Sequence, residues 1–217
     1  MLLMKEKILQ PEFFDRNAVL VAKDLLGKYL VRKINGEITT HRIVETEAYE
    51  GFLDKASHAS RSKTLRNSPM FEKAGTIYVY FTYGMHWILN IVCGPKGHPA
   101  AVLIRGLKRS VENRTFARSN LKNKFDLGDR DLSGPGRLTK KLVIDKNLNG
   151  KMLGKKSGLW ITDTNITCPT HSLGRRANEI EYPNKKFKIV RMPRIGVNYA
   201  GPVWSKKLYR FVLQYGK

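Results

Sequence analysis

Alternating hydrophobic and polar residues, and short apolar runs bounded by turn residues, predict more strands than helices. Three β-rich runs follow one another across short connections, at residues 76–82, 87–93 and 100–105. Runs of this kind, separated by tight turns, are typical of an antiparallel meander. Further short strands are predicted later in the chain, at residues 159–162, 187–190 and 208–213.

Two short helices are predicted. An apolar stripe over residues 18–26 indicates the first, with Asp15 as its N-cap and Gly27 as its stop. The second opens at Gly134-Pro135, since proline fits the first turn of a helix.

A hairpin is predicted at Asn35-Gly36, which is the strongest two-residue turn signal. It would join a strand at residues 29–34 to a longer strand that ends at Tyr49. Residues 51–74 then show no clear period and are rich in Ser, Lys and Arg. A loop of that length within a compact domain is usually functional.

The chain is predicted to be a single domain over residues 1–217, of the α+β class and dominated by strands. It shows no internal repeat, low-complexity tract or linker. Residues 108–132 are charged and are expected to be partly helical or mobile.

Composition excludes several classes of protein. Hydrophobic residues make up 41%, which rules out a disordered chain, and no apolar run reaches the ~18 residues that span a bilayer. The N-terminus lacks the apolar core of a secretory signal. Two cysteines, Cys93 and Cys168, cannot form a disulfide framework, and the five histidines lack metal-ligand spacing. We therefore expect no metal and a reducing compartment.

Charge is the first indication of function. The formal net charge is +22, with 40 Lys and Arg against 18 Asp and Glu. It is uneven: residues 1–131 carry net +8 and residues 132–217 net +14. Such an excess attracts a polyanion, and nucleic acid is the favoured partner. A merely basic protein is the alternative, while a membrane surface is disfavoured because no long basic amphipathic helix is found.

Two carboxylates two positions apart, Glu45 and Glu47, lie in the strand that ends at Tyr49. Alternation places all three side chains on one face of that strand. One carboxylate could be a general base with a raised pKa. The alternative is a solvated strand face with paired charges.

Aromatic residues surround the turn that joins the first two strands of the meander. Tyr78 and Tyr80 share a strand face, which fits core packing, whereas Tyr83 falls in the turn itself. Because turn tips are exposed, a tyrosine there suits stacking on bases or insertion between base pairs.

Three polar residues have both a structural and a functional interpretation. His58 in the long loop is either a surface residue or part of a site. Asn90, inside an apolar strand, is either structural or reads a ligand edge, because a buried amide needs hydrogen-bond partners. Arg105 ends an apolar strand and could contact a phosphate.

Two motifs together are highly specific: residues 42–49 read RIVETEAY and residues 78–85 read YVYFTYGM. With them the chain resembles the alkyladenine (3-methyladenine) DNA glycosylase family. The resemblance extends over nearly the whole chain through three further segments, LLGKYLVR at 25–32, GPGRL at 134–138 and RIGVNYAG at 194–201.

The resemblance implies a role for each matching residue. Glu47, rather than Glu45, would activate the attacking water. Tyr83 would fill the gap left by a flipped nucleotide, Asn90 would discriminate against the amino group of guanine, and Arg105 would bind phosphate. Three aromatic residues would enclose the flipped base: Tyr49, His58 and Tyr80.

The resemblance also implies a fold and an activity. The fold would be a curved antiparallel sheet flanked by short helices, with a protruding β-hairpin. The activity would be hydrolytic removal of alkylated or deaminated purines from duplex DNA, without strand cleavage, cofactor or obligate protein partner. We expect a monomer, located in the cytoplasm or nucleoid if the source is bacterial. The rival hypothesis is a non-enzymatic nucleic-acid-binding protein on the same fold.

Overall fold

A computed structural model describes residues 7–109, 132–163 and 187–215 of the chain. The segment predicted to be helical or mobile, 108–132, lies almost wholly outside these ranges, as does Cys168. The helices of the described residues are α1 (Pro11–Phe14), α2 (Ala18–Asp24), α3 (Pro135–Lys141) and α4 (Gly201–Ser205). Their strands are β1 (Tyr29–Ile34), β2 (Glu37–Tyr49), β3 (Ile77–Thr82), β4 (His86–Cys93), β5 (Ala100–Arg109), β6 (Leu132–Ser133), β7 (Leu159–Thr162), β8 (Phe187–Met192) and β9 (Arg210–Tyr215).

All nine described strands join one antiparallel sheet. Its main path runs β3-β4-β5-β2-β1-β7, while β6 pairs with β5, and β9 pairs with both β2 and β8. The predicted meander is therefore confirmed as β3-β4-β5. The later strands and the α+β class are confirmed as well.

Strand β2 is the centre of the sheet because it pairs with three other strands. Its first half pairs with β1 and its second half with β9, while β5 runs along its other edge. The register with β5 shifts on both sides of Glu45, as it does at a β-bulge. A bulge bends and twists a strand, so the sheet curves at this point.

Alternation along the strands separates two faces of the sheet. In β4, Leu89 and Ile91 join the main hydrophobic core, while Asn90 and Val92 point to the opposite face. Helix α2 packs over the core face with Val21 and other buried residues. The long loop covers part of the opposite face instead, through a second cluster that includes Met70.

The first hairpin was predicted correctly, whereas the residue that caps helix α2 was not. Asn35 and Gly36 have φ of 49° and 87°, the left-handed pair that a two-residue hairpin requires. The predicted N-cap Asp15 is wrong. The side chain of Asn17 caps α2 by accepting from the backbone N–H groups of Val19 and Leu20.

We expect Asn17→Ala to lower the free energy of unfolding by about 1 kcal/mol, because two helix N–H groups lose their acceptor. Asp15→Ala serves as the matched control, since its exposed side chain should contribute within ~0.5 kcal/mol. Urea denaturation of both variants measures the difference. A larger loss in Asp15→Ala would show that the cap is assigned to the wrong residue.

Candidate active site

A cavity of about 740 Å³ opens on the face of the sheet opposite α2. Its volume falls within the range of small-molecule sites. The structure brings together in its lining all seven residues that the sequence analysis selected as site residues: Glu47, Tyr49, His58, Tyr80, Tyr83, Asn90 and Arg105. Glu45 does not line it.

Strand alternation and register explain this convergence. One row of paired residues crosses four strands, from Tyr78 in β3 through Asn90 and Leu103 to Glu47 in β2. All four line the cavity. Residues that are 43 positions apart in the chain, Glu47 and Asn90, are thus fixed in the same row by hydrogen-bonded backbone.

Glu47 is a fully buried carboxylate at the cavity wall. One oxygen, Oε2, accepts a hydrogen bond of 2.9 Å from the Tyr49 hydroxyl, and Oε1 accepts one of 2.9 Å from the backbone N–H of Ile195. Burial raises the pKa of Glu47, and the nearby Arg105, with these two hydrogen bonds, opposes the rise. A carboxylate in this state can accept a proton more readily than an exposed one.

Tyr49 keeps its proton, because burial and the adjacent Glu47 raise the pKa of its hydroxyl well above the ordinary value. It therefore donates to Glu47 throughout the physiological range. The hydrogen bond also confirms that the side chains of these two residues share one face of β2.

Arg105 lies between the carboxylates of Glu45 and Glu47. Its Nε is 3.1 Å from Glu45 Oε1 and 3.6 Å from Glu47 Oε1. The guanidinium is largely buried yet lines the cavity. Its phosphate role stays a prediction, and the structure adds an ion-pair role that the sequence analysis did not include.

A second buried ion pair was missed by the sequence analysis. The Arg194 guanidinium donates to both oxygens of Asp54 at 2.5 and 2.9 Å, and to the carbonyl oxygen of Ala48 at 2.8 Å. It also lies 4.8 Å from the centre of the Tyr49 ring. Because Arg194 precedes Ile195, this pair positions the N–H group that binds Glu47.

Aromatic rings form one wall of the cavity. The His58 ring contacts Tyr80 edge-on, with centroids 4.5 Å apart, and its Nδ1 is 3.0 Å from the Tyr78 hydroxyl. Although His58 opens to the cavity, desolvation of its ring and, to a lesser extent, the cationic Arg66 together lower its pKa to about 4. This wall is therefore uncharged at neutral pH.

Asn90 is both structural and accessible to a ligand. Its Nδ2 donates to the carbonyl oxygens of Tyr78 and Ile88, at 3.1 and 3.4 Å, so the carboxamide is held firmly. Both donors are used by the protein, while the side chain borders the cavity. The two interpretations offered by the sequence are thus compatible.

Tyr83 lies at the tip of the β3–β4 hairpin. It is 82% exposed and adopts a left-handed φ of 51°, which is unfavourable for a bulky side chain. Rings behind it brace the hairpin, since Phe81 and Trp87 contact each other across the two strands at 4.7 Å. An exposed aromatic held in a strained turn is typical of a functional position.

The sequence matches a family of known proteins along most of its length. The family model for methylpurine-DNA glycosylase matches residues 12–217. The chain belongs to this family.

Relatives provisionally named 3-methyladenine DNA glycosylase are similar along most of their length. The protein of Natranaerobius thermophilus is 37% identical over 210 residues, covering 94% of this chain and 93% of its own. That of Methanocella arvoryzae is 41% identical over 194 residues, covering 89% and 86%. That of Carboxydothermus hydrogenoformans is 46% identical over 157 residues, covering 71% and 79%.

As a member of the methylpurine-DNA glycosylase family, the protein is a hydrolase that acts on damaged bases in DNA. Its cavity mouth suits this polyanion, because the lining includes the cations Lys55, Arg61 and Arg66. Arg66 is held against the hairpin by a 2.9 Å bond to the Phe81 carbonyl oxygen. No helix among the described residues is long and apolar enough to cross a membrane.

We expect Asp54→Asn to destabilise this glycosylase by about 3–5 kcal/mol, because it leaves the buried Arg194 charge without its partner. The control is Asp24→Asn, which breaks the exposed pair with Arg16 and should cost less than ~1 kcal/mol. Denaturant unfolding compares the two. Equal losses would mean that the buried pair has no special part in stability.

Proposed function

We propose that this glycosylase flips an alkylated or deaminated purine out of duplex DNA and hydrolyses its N-glycosidic bond. The observation that carries the proposal is the buried Glu47 carboxylate in a cavity walled by aromatic rings. Flipping would be required for this reaction, because a base inside a duplex is out of reach of an enclosed carboxylate. The substrates would include 3-methyladenine, hypoxanthine, ethenoadenine and 7-methylguanine.

Glu47 is the general base in this mechanism. It accepts a proton from water as the water oxygen bonds to the sugar C1′, and the C1′–N bond breaks with its electron pair leaving on the purine. The hydrogen bonds from Tyr49 and Ile195 hold the carboxylate in place for this step. Since water is the nucleophile, the product is an abasic site in an intact strand.

The aromatic lining selects the base. Tyr49 on one side, with His58 and Tyr80 on the other, would present ring faces to the purine, which attract a cationic alkylated base more than a neutral one. A neutral His58 supports this preference, since it adds no repulsive charge. Asn90 would exclude guanine, because its fixed carboxamide leaves little room for the exocyclic amino group.

Two residues would act on the DNA itself. Tyr83 would enter the duplex from the minor groove and occupy the vacated stack. Arg105 would bind the phosphate of the flipped nucleotide while its Nε stays between Glu45 and Glu47. A non-enzymatic binder would gain nothing from a buried acid beside a polyanion, so we favour the enzyme. We further propose that it acts as a monomer on chromosomal DNA.

Glu47→Gln should abolish base release and leave lesion binding largely intact, because the amide keeps the shape but cannot accept the proton. A rate loss of ~10² or more is expected in single-turnover assays on duplexes that carry one hypoxanthine, ethenoadenine or 7-methylguanine. The parent enzyme should lose activity as the pH falls through the raised pKa of Glu47. The acid limb of its pH–rate profile should therefore lie above 4.5, the ordinary pKa of a glutamate side chain.

Alkali-labile breaks at the lesion report the reaction, and gel shift reports binding. Lesions that the parent fails to release are removed from the proposed substrate range. An active Glu47→Gln beside a dead Glu45→Gln would overturn the assignment of the base.

Tyr83→Ser should slow release of a paired lesion much more than release of a lesion in a bulge or single strand, where little flipping work remains. Loss of one aromatic–base stack, ~1–3 kcal/mol, corresponds to roughly one to two powers of ten in the flipping equilibrium. Phe187→Ser is the control, because that exposed aromatic does not line the cavity. Equal losses on both substrates would assign Tyr83 to the pocket or the fold instead.

A further inference from the structure

We propose that Glu45 is a positioning residue, which holds Arg105 partly away from Glu47 and so sets how strongly that guanidinium neutralises the catalytic carboxylate. The inference rests on the proposed role of Glu47. It concerns a residue that lies outside the cavity and that the sequence motif gives no task.

Glu45 binds two arginines through the same oxygen. Its Oε1 is 2.7 Å from the Nε of Arg210 and 3.1 Å from the Nε of Arg105. The carboxylate is 13% exposed, so solvent screens these contacts only in part. Arg105 is correspondingly nearer to Glu45 than to Glu47, by 3.1 against 3.6 Å.

The backbone is shaped to bring Glu45 to this position. The bulge in β2 falls at Glu45, and the opposing residue in β5 is Gly106. A Cβ on Gly106 would lie 2.9 Å from the Glu45 Cβ and 3.2 Å from its Oε2, so only glycine permits this approach. The bulge in β2 and the glycine in β5 therefore both make room for the Glu45 side chain.

The four charged groups form an ordered row: Arg210, Glu45, Arg105 and Glu47. Removing the charge of Glu45 frees Arg105 to pair wholly with Glu47, and it also removes a negative neighbour of Glu47. Both effects favour the ionised form of Glu47 and make it a weaker base. Removing Arg210 does the reverse, since Glu45 then draws Arg105 away from Glu47.

The other groups near Glu47 keep the same charge in the parent and in both variants. They are the Tyr49 hydroxyl on β2, the Ile195 N–H, the Arg194 guanidinium, and the Tyr80 and Tyr199 hydroxyls. All four side chains keep their charge state at neutral pH, because burial or an ion pair raises the pKa of each. His58 titrates only near pH 4.

The test is the pH dependence of single-turnover base release by the full chain, with Glu45→Gln and Arg210→Gln. We expect the acid limb to move about one pH unit lower in Glu45→Gln and to move higher in Arg210→Gln. The plateau rate of Glu45→Gln should fall about threefold, as a weaker base requires. Glu72→Gln is the matched control, because it changes the net charge equally at an exposed side chain that pairs with Lys96, outside the row, and its profile should overlay the parent's.

Melting temperatures separate positioning from stability. If Glu45→Gln lowers the melting temperature but leaves the acid limb unmoved, Glu45 is merely structural and the inference is overturned. The inference is also overturned if the acid limbs of Glu45→Gln and Arg210→Gln shift in the same direction. Glu45→Asp, which restores the charge, should return the limb towards the parent position. A parent enzyme that releases no base would contradict the proposed function instead, so the two failures are distinct.

Discussion

The buried ion pair between Arg194 and Asp54 is the contact on which the site most depends. One guanidinium reaches three segments: the long loop through Asp54, strand β2 through the Ala48 carbonyl oxygen, and helix α4 through the Trp204 carbonyl oxygen. A buried guanidinium is costly unless it is paired, so an arrangement that separates Arg194 from Asp54 is strongly disfavoured. The paired arrangement places the Ile195 N–H within 2.9 Å of the Glu47 carboxylate. The packing of these segments and the surroundings of Glu47 therefore depend on the same contact.

The site could be predicted from the sequence wherever strand alternation controls it. In β2 to β5, knowing which residues face the core also identifies those that face the cavity, so Glu47, Tyr80 and Asn90 followed from pattern and motif. The meander was predicted for the same reason, because its turns are short and its pairing is local. In these strands, the alternation that predicts the strand also predicts which side chains face the cavity.

The remaining features depend on contacts between distant segments, which periodicity does not encode. Arg194 and Asp54 are 140 positions apart, and each looks like an ordinary surface charge in its own segment. Asp15 and Asn17 are both good capping residues, and only the path of the chain after α1 decides between them. The bulge at Glu45 likewise has no sequence signal of its own, because it follows from pairing with Gly106.

The order in which these parts are synthesised has a consequence for the cell. Glu47 belongs to an early strand, whereas the N–H that binds it lies 148 residues later, in Ile195. A domain folds as a unit, and a chain that still lacks residues 187–215 has neither the Ile195 N–H nor the pairing of β9 with β2. In such a chain the Glu47 carboxylate keeps the Tyr49 hydroxyl as a donor but lacks its second donor, the Ile195 N–H. The surroundings of Glu47 are therefore complete only when almost the whole chain has been synthesised.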